Sequence, residues 1–396
     1  MTSRTNLLAA ALIAPLLILV VASFVVPLLI TLETAVANPE VREALPRTTA
    51  TLRAWDGNGV PSEDAFAAIA SELALAQEGQ SIGQLSRRLN FEQPGLRALL
   101  LKTARAKADL APPFKDALIA LDARWGEPAL WQMLRRNTSA VTPLFLLRSL
   151  DFTLSPDGAI ASAPSDEAVF RALFARTFVI SFWVTVLCVV IGYPVAYTLS
   201  TLPQRWANVA MALVLVPFWT SILVRTTAWF ILFQREGPVN ALLQSLRVVD
   251  APATLIFTRF AVYVAMVHVL LPFVILPLYS VMKGIDPVYL RAAASLGAPG
   301  WKRFVRVYLP MTMPGVAAGA LMVFMLAVGF YITPALVGGP EDQMVSYFIA
   351  FFTNQTINWG MAAALACLLL VMTGVLVVVA RLVIPGFGTT ANALPR

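Results

Sequence analysis

Asp286-Pro-Val-Tyr-Leu-Arg-Ala-Ala-Ala-Ser-Leu-Gly-Ala-Pro-Gly-Trp-Lys-Arg-Phe-Val-Arg-Val-Tyr-Leu-Pro310 is a polar stretch set between two membrane-length apolar runs. Asp286 suits the cap of a helix that begins with Pro287, where the missing amide donor costs nothing. Gly297 is placed to end that helix, since glycine enters the left-handed conformation cheaply. A second helix from about Pro299 puts Trp301, Phe304, Val305 and Tyr308 on one face and Lys302, Arg303 and Arg306 on the other. The 283–306 loop thus holds Lys283, Arg291, Lys302, Arg303 and Arg306 against Asp286 alone. The pattern is that of a cytoplasmic helix–turn–helix offered to another protein.

The composition is that of a membrane protein. The 396-residue chain is 58% hydrophobic and 13% charged, with mean hydropathy +0.75, whereas a soluble domain carries about a quarter charged residues. Six runs are long enough to cross about 30 Å of hydrocarbon at about 1.5 Å per residue: Leu7–Leu32, Phe178–Leu199, Val209–Phe233, Phe260–Met282, Tyr308–Ile332 and Met361–Ile384. The first exceeds the roughly 7–15-residue core of a secretion signal. It therefore reads as an uncleaved helix, although Ala35-Val36-Ala37 follows it. Arg205, the cations of 283–306, Arg381 and Arg396 lie on one side of these runs, while Glu341 and Asp342 lie on the other. By the positive-inside rule both termini face the cytoplasm. Arg235, Arg247 and Arg259 weaken that contrast without reversing it. The net charge of +7 reads as membrane anchoring and not as nucleic-acid binding.

Between the first two runs the composition changes. Residues 33–171 hold 32 of the 51 charged residues, 15 basic and 17 acidic, which is the charge density of a soluble domain. Helical patterns cover Ser62–Gln77, Gln93–Ala108, Pro113–Arg124 and Pro128–Arg136, and Ser62 followed by Glu63 and Asp64 suits a helix start. The expectation is a small, mostly helical extracytoplasmic domain; a partly ordered loop is the alternative.

Local chemistry is sparse. Cys188 and Cys367 fall in apolar runs far apart, without metal-ligand spacing, and read as packing residues. His268 lies inside an apolar run and reads as a satisfied bundle residue, with no metal site implied. No Gly-Lys pair exists, so no phosphate-cradling loop of the Gly-x-x-x-x-Gly-Lys-Ser/Thr kind is present. The six runs contain no Asp or Glu, which ion-coupled carriers use for coupling. Energy for uphill transport would have to come from outside the chain.

Two stretches carry a family resemblance. Arg291-Ala-Ala-Ala-Ser-Leu-Gly297, with Leu309-Pro310 and Met311-Thr-Met-Pro-Gly315, resembles the Glu-Ala-Ala loop of ABC importer permeases. Pro217-Phe-Trp-Thr-Ser-Ile-Leu-Val-Arg-Thr-Thr-Ala-Trp229, continuing to Gln234-Arg-Glu-Gly237, resembles the spermidine/putrescine type. The likeness covers about Thr177 to the C-terminus and the first run, but not the 33–171 insert.

The resemblance, together with the apolar runs and the composition of the insert, implies an all-α membrane protein of six transmembrane helices. Its parts are an N-terminal helix (1–32), an extracytoplasmic helical insert (33–171), and a five-helix permease core (172–396) with a coupling loop at 283–306. It implies no enzyme activity and no cofactor in this chain, with ATP on a cytoplasmic ABC ATPase dimer. The remaining implied partners are a second permease subunit, an extracytoplasmic solute-binding protein and membrane lipid, in a bacterial inner membrane. Asp286, Arg291, Ala292, Ala293, Gly297, Trp301 and Phe304 would form the ATPase-coupling element. Arg291 stands where the family has glutamate, a reversal of charge; it is either a solvated residue or a partner contact.

Trp219, Thr220, Arg225, Thr226, Trp229, Tyr331 and Thr333 are candidates for the substrate pathway. Aromatic faces suit an amine, as in a polyamine, or serve as interface anchors. Arg225 suits a carboxylate or phosphonate, or is structural. Gly315 and Gly319, at small-x-x-x-small spacing, suit close packing against a neighbouring subunit or within the chain. A self-contained secondary carrier or channel, and a membrane-anchored sensor working through the insert, are the competing classes.

Overall fold

The computed structural model describes residues 12–106, 111–155 and 158–383. Among the described residues five helices are long and apolar enough to cross a membrane: Leu12–Thr34, Phe170–Thr201, Arg259–Lys283, Gly300–Val328 and Trp359–Leu382. A bent pair, Gln204–Trp219 and Ile222–Leu232, makes a sixth crossing if counted as one span. The all-α membrane architecture is therefore present. The part of the first run from Leu7 to residue 11 lies outside the described residues.

Two spans differ from the sequence expectation. Val209–Phe233 is not one helix but two, bent by 94°. Pro217 lacks an amide donor, the chain tightens into a 3₁₀ turn at Val216–Trp219, and Thr220 is extended. Ser221 then caps the new helix through its hydroxyl, which accepts from the Leu223 amide at 3.3 Å. The fifth span also begins earlier than Tyr308, because the second polar helix is continuous with it. Gly300–Arg303 runs through a π-turn at Phe304–Tyr308 straight into Leu309–Val328. In a regular α-turn Pro310 would clash with the Arg306 carbonyl, and that carbonyl lies inside the wider π-turn. The span stops at Val328, short of Ile332, and a short helix follows at Ile332–Val337.

The chain divides into two compact units, one comprising residues up to Arg171 with Ile349–Leu368, the other Ala172–Phe348 and the chain from Leu369. In the first unit the insert is an ordered helical body. Helices Glu63–Glu78 and Pro128–Arg136 were legible, and the Gln93–Ala108 and Pro113–Arg124 patterns settle as Leu96–Arg105 and Phe114–Leu121. Residues 107 and 108 lie outside the described residues. Helices Glu40–Ala44, Pro46–Ala54, Ile82–Glu92 and Leu144–Arg148 were not anticipated, nor was the antiparallel pair Phe152–Leu154 with Ile160–Ser162.

The insert core holds Leu52, Phe66, Leu73, Leu85, Leu99, Trp125 and Trp131, with the Trp125 indole donating to Thr103 Oγ1 at 3.0 Å. The Ser62 hydroxyl does not cap its helix. Glu63 instead accepts from the Phe114 and Lys115 amides at the start of the Phe114–Leu121 helix.

The insert also closes its buried polar groups. Glu72, 4% exposed, accepts from the Arg47 and Thr48 amides (2.6 and 2.8 Å) and the Thr48 hydroxyl (2.7 Å). These are orphan donors at the start of the Pro46–Ala54 helix. Arg88 donates to Asn38 (3.1 Å) and Asn137 (2.8 Å) and pairs with Glu92, which also takes Arg136. Burial lowers the Arg88 guanidinium pKa, and the Glu92 charge opposes that shift. At the surface, hydrogen bonds from Arg124 hold the Asp122 carboxyl down at about 2.

In the second unit the core gathers around Arg259–Lys283, with Ala261, Ala265, Met266, Leu270, Val274 and Leu278 buried. The two glycines of interest pack here, within the chain. A Cβ on Gly319 would lie 3.1 Å from Val274 Cα, and one on Gly315 would lie 3.0 Å from Val281 Cβ. Close approach of small residues is the membrane's substitute for a hydrophobic drive between helices. Cys188 and Cys367 are buried free thiols.

Candidate functional site

The polar element is built by its caps. Asp286 Oδ1 accepts from the Val288 amide at 2.8 Å, ahead of the Pro287–Ser295 helix. That helix ends in a pair of bonds, Ala298 N to Ala293 O at 3.1 Å and Gly297 N to Ala294 O at 2.9 Å. This is the Schellman closure, and Gly297 supplies its left-handed residue with φ +79°. Nothing lies within 4 Å of a Cβ placed on Gly297. Conformation, not space, is what requires glycine there.

The expected single apolar face of the second helix divides in two. Phe304 and Tyr308 turn inward, with ring centroids 6.2 Å from Tyr193 to Phe304 and 5.4 Å from Tyr197 to Tyr308. Trp301 and Val305 stay exposed, at 65% and 47%. Together with Val288, Tyr289 and Leu296 (88% exposed) they leave a run of apolar side chains uncovered along the element. Arg291, Ala292 and Ser295 are exposed on the first helix. Of the uncovered apolar run, Trp301 and Val305 belong to the same continuous helix as the fifth span, Gly300–Val328.

A second cluster forms beyond the 94° bend. Arg225 and Trp229 lie one turn apart on Ile222–Leu232. The Trp229 indole donates to His268 Nδ1 at 3.0 Å and its ring stacks on Phe233 at 5.0 Å. His268 is thus satisfied by a residue 39 positions away, a pairing that no local pattern announces. Arg225 Nε is buried with no hydrogen-bond partner among the described residues. The Thr226 and Thr333 hydroxyls, both buried, meet at 3.0 Å and tie this helix to Ile332–Val337.

Tyr331 is 43% exposed at the start of that short helix. Trp219 (82% exposed) and Thr220 sit on the bend, with the Thr220 hydroxyl bonded to Pro217 O at 3.0 Å. The structure therefore brings Thr226 and Thr333 into direct contact, sets Arg225 and Trp229 on the same helix as Thr226, and places Trp219 on the bend before it. Asp342 finds a partner that its own loop lacks, Arg259 Nε at 2.9 Å. Among the described residues no group of three or more His, Cys, Asp or Glu could hold a metal ion.

Residues 174–386 match the family of binding-protein-dependent transport system inner membrane components. The spermidine/putrescine transport system permease protein PotB of Escherichia coli K12 is 35% identical over 195 residues, covering 49% of this chain and 71% of that protein. PotB of Haemophilus influenzae is 36% identical over 195 residues, covering 49% and 68%. The crystal structure of a bacterial alginate ABC transporter, in complex with alginate pentasaccharide-bound periplasmic protein, is similar at TM-score 0.45 and 18% identity, covering 54% of this chain and 77% of that one.

Proposed function

This chain belongs to the family of binding-protein-dependent transport system inner membrane components, as a multi-pass permease subunit, and from that premise we propose how it works and what it carries. The capped helix Pro287–Ser295 and the start of Gly300–Val328 dock on a cytoplasmic ABC ATPase dimer through the exposed Val288, Leu296 and Trp301. ATP-driven closure of that dimer is passed as a rigid-body shift into the fifth span. The observation that carries this reading is the uninterrupted Gly300–Val328 helix entered through the Gly297 turn. A second permease subunit completes the pore, a solute-binding protein delivers the solute on the insert's side, and both termini lie in the cytoplasm.

Gly297→Val tests the coupling. A β-branched residue at φ +79° costs about 1–2 kcal/mol locally, so membrane insertion and assembly persist. ATP-dependent uptake in proteoliposomes holding the whole complex is expected to fall at least tenfold. Normal uptake by this variant refutes the docking role.

The carried solute is polyamine-like. The support is the likeness to PotB and the aromatic faces of Trp229 and Tyr331, which hold amines by cation–π attraction. A second reading, an anionic solute, is favoured by one observation: the unpartnered Arg225 Nε. Competition of radiolabelled spermidine uptake by unlabelled putrescine, set against a phosphonate and a dicarboxylate, separates them. Competition by the anions alone sinks the polyamine reading.

A further inference from the structure

The insert is more than a domain carried between two spans, because its own compact unit includes the chain from Ile349 to Leu368. Two sets of contacts within that unit tie the insert to the start of the second span and to the start of the last. In the first, Asp151, 3% exposed and held at φ +59°, accepts from the Phe170 and Arg171 amides at 2.8 Å each. These are first-turn amides of the 32-residue helix Phe170–Thr201, which have no partner within the helix. A carboxylate there is favoured by both the hydrogen bonds and the helix dipole. The Arg171 guanidinium also lies 5.1 Å over the Phe152 ring, and Arg148 pairs with Glu167.

In the second set, Phe352, in the helix Val345–Asn354, meets Phe91 edge-on at 6.3 Å and Phe170 at 6.4 Å. Phe91 in turn packs on Phe145 at 5.9 Å. The Phe145 ring lies against Gly360, in the first turn of the last span, so closely that any Cβ there would collide with it. The buried Arg88 guanidinium lies 4.9 Å from the centroid of the Phe145 ring.

From these contacts we infer that the insert is a strut: a rigid joint fixing the start of the second span and the start of the last span to one body throughout the transport cycle. The inference rests on the permease reading above and goes beyond it. A carboxylate cap and a packed aromatic cluster with no room for a methyl group have few alternative arrangements, since packed interiors are bistable rather than continuously deformable. Whatever pushes on the insert, a docked solute-binding protein above all, then moves both spans together.

The test uses paired spin labels in the complete complex, with Cys188 and Cys367 replaced by Ala. Labels at Arg97 and Gln355, both exposed, report the joint. Labels at Arg97 and Gln204, an exposed residue outside the docking element, report the cycle. Distances are measured nucleotide-free and trapped with ATP and vanadate. A 97–355 distance that stays fixed while the 97–204 distance shifts supports the strut. A 97–355 distance that shifts or splits on trapping overturns it, with the permease reading intact. If neither distance moves, the alternating-access reading fails and the strut falls with it.

A second variant checks the contacts themselves. Gly360→Leu is expected to broaden the 97–355 distribution and cut uptake at least fivefold, with basal ATPase activity retained. An unbroadened distribution in that variant counts against the joint.

Discussion

Trp131 in the insert and Gly319 in the fifth span mark two ways of holding helices together. Trp131 is fully buried, its indole donating to the Trp125 carbonyl at 2.8 Å, beside Phe66 at 4.6 Å. Large side chains fill the insert's interior, and charged networks such as Arg88–Glu92–Arg136 close what apolar packing leaves open. Gly319 contributes no side chain at all; it lets the backbone of Val274 come close. The unit that contains the insert excludes water and gains from burying area. The spans gain nothing from moving a leucine from lipid to protein, so shape and backbone proximity decide.

That contrast can be broken in order of effect. Arg88→Met removes the centre of a buried network, takes the donor from Asn38 Oδ1 and one donor each from Asn137 and Glu92, and is expected to cost about 3 kcal/mol. Trypsin should then cut the 33–171 segment quickly in detergent, while the spans stay protected; equal loss of both regions would show that they fold as one. Gly319→Ala adds only a methyl group, but against backbone, and is expected to cost about 2 kcal/mol. Its thermal unfolding should soften the spans first, with the insert's protease resistance unchanged.

The smallest effect is the acid end. Asp122 is held at about 2, below the roughly 3.9 of an unfolded chain, so the folded state binds fewer protons in between. The stability it lends is present above about pH 4 and fades as pH falls toward 2. The gap in thermal stability between the wild type and Asp122→Asn should therefore shrink from pH 6 to pH 2.5. A gap that widens on acidification would refute the assignment.

Much of this molecule is written locally. The caps Asp286 and Gly297 and the apolar runs act over a turn or a span, so residue type and spacing reveal them. The bend after Trp219 was less legible, because membrane helices also tolerate interior prolines such as Pro194, Pro272 and Pro314. Only the following Ser221 cap hinted at a break. The helix Ile82–Glu92 was missed because its buried side includes Ser86 and Arg88, which weaken an apolar periodicity. Glu72, Asp151 and His268 act on partners far along the chain, and no window of sequence contains both halves of those contacts.

The helix from Gly300 to Val328 has a consequence in plain mechanics. At about 1.5 Å per residue it is a lever arm about 43 Å long, so a tilt of about 10° displaces its far end by about 7 Å. That is wider than a helical turn and enough to open or shut a passage for a small solute. Under the proposed coupling the stroke scales with the length of this helix for a given tilt, and shortening or kinking it would reduce the stroke in proportion.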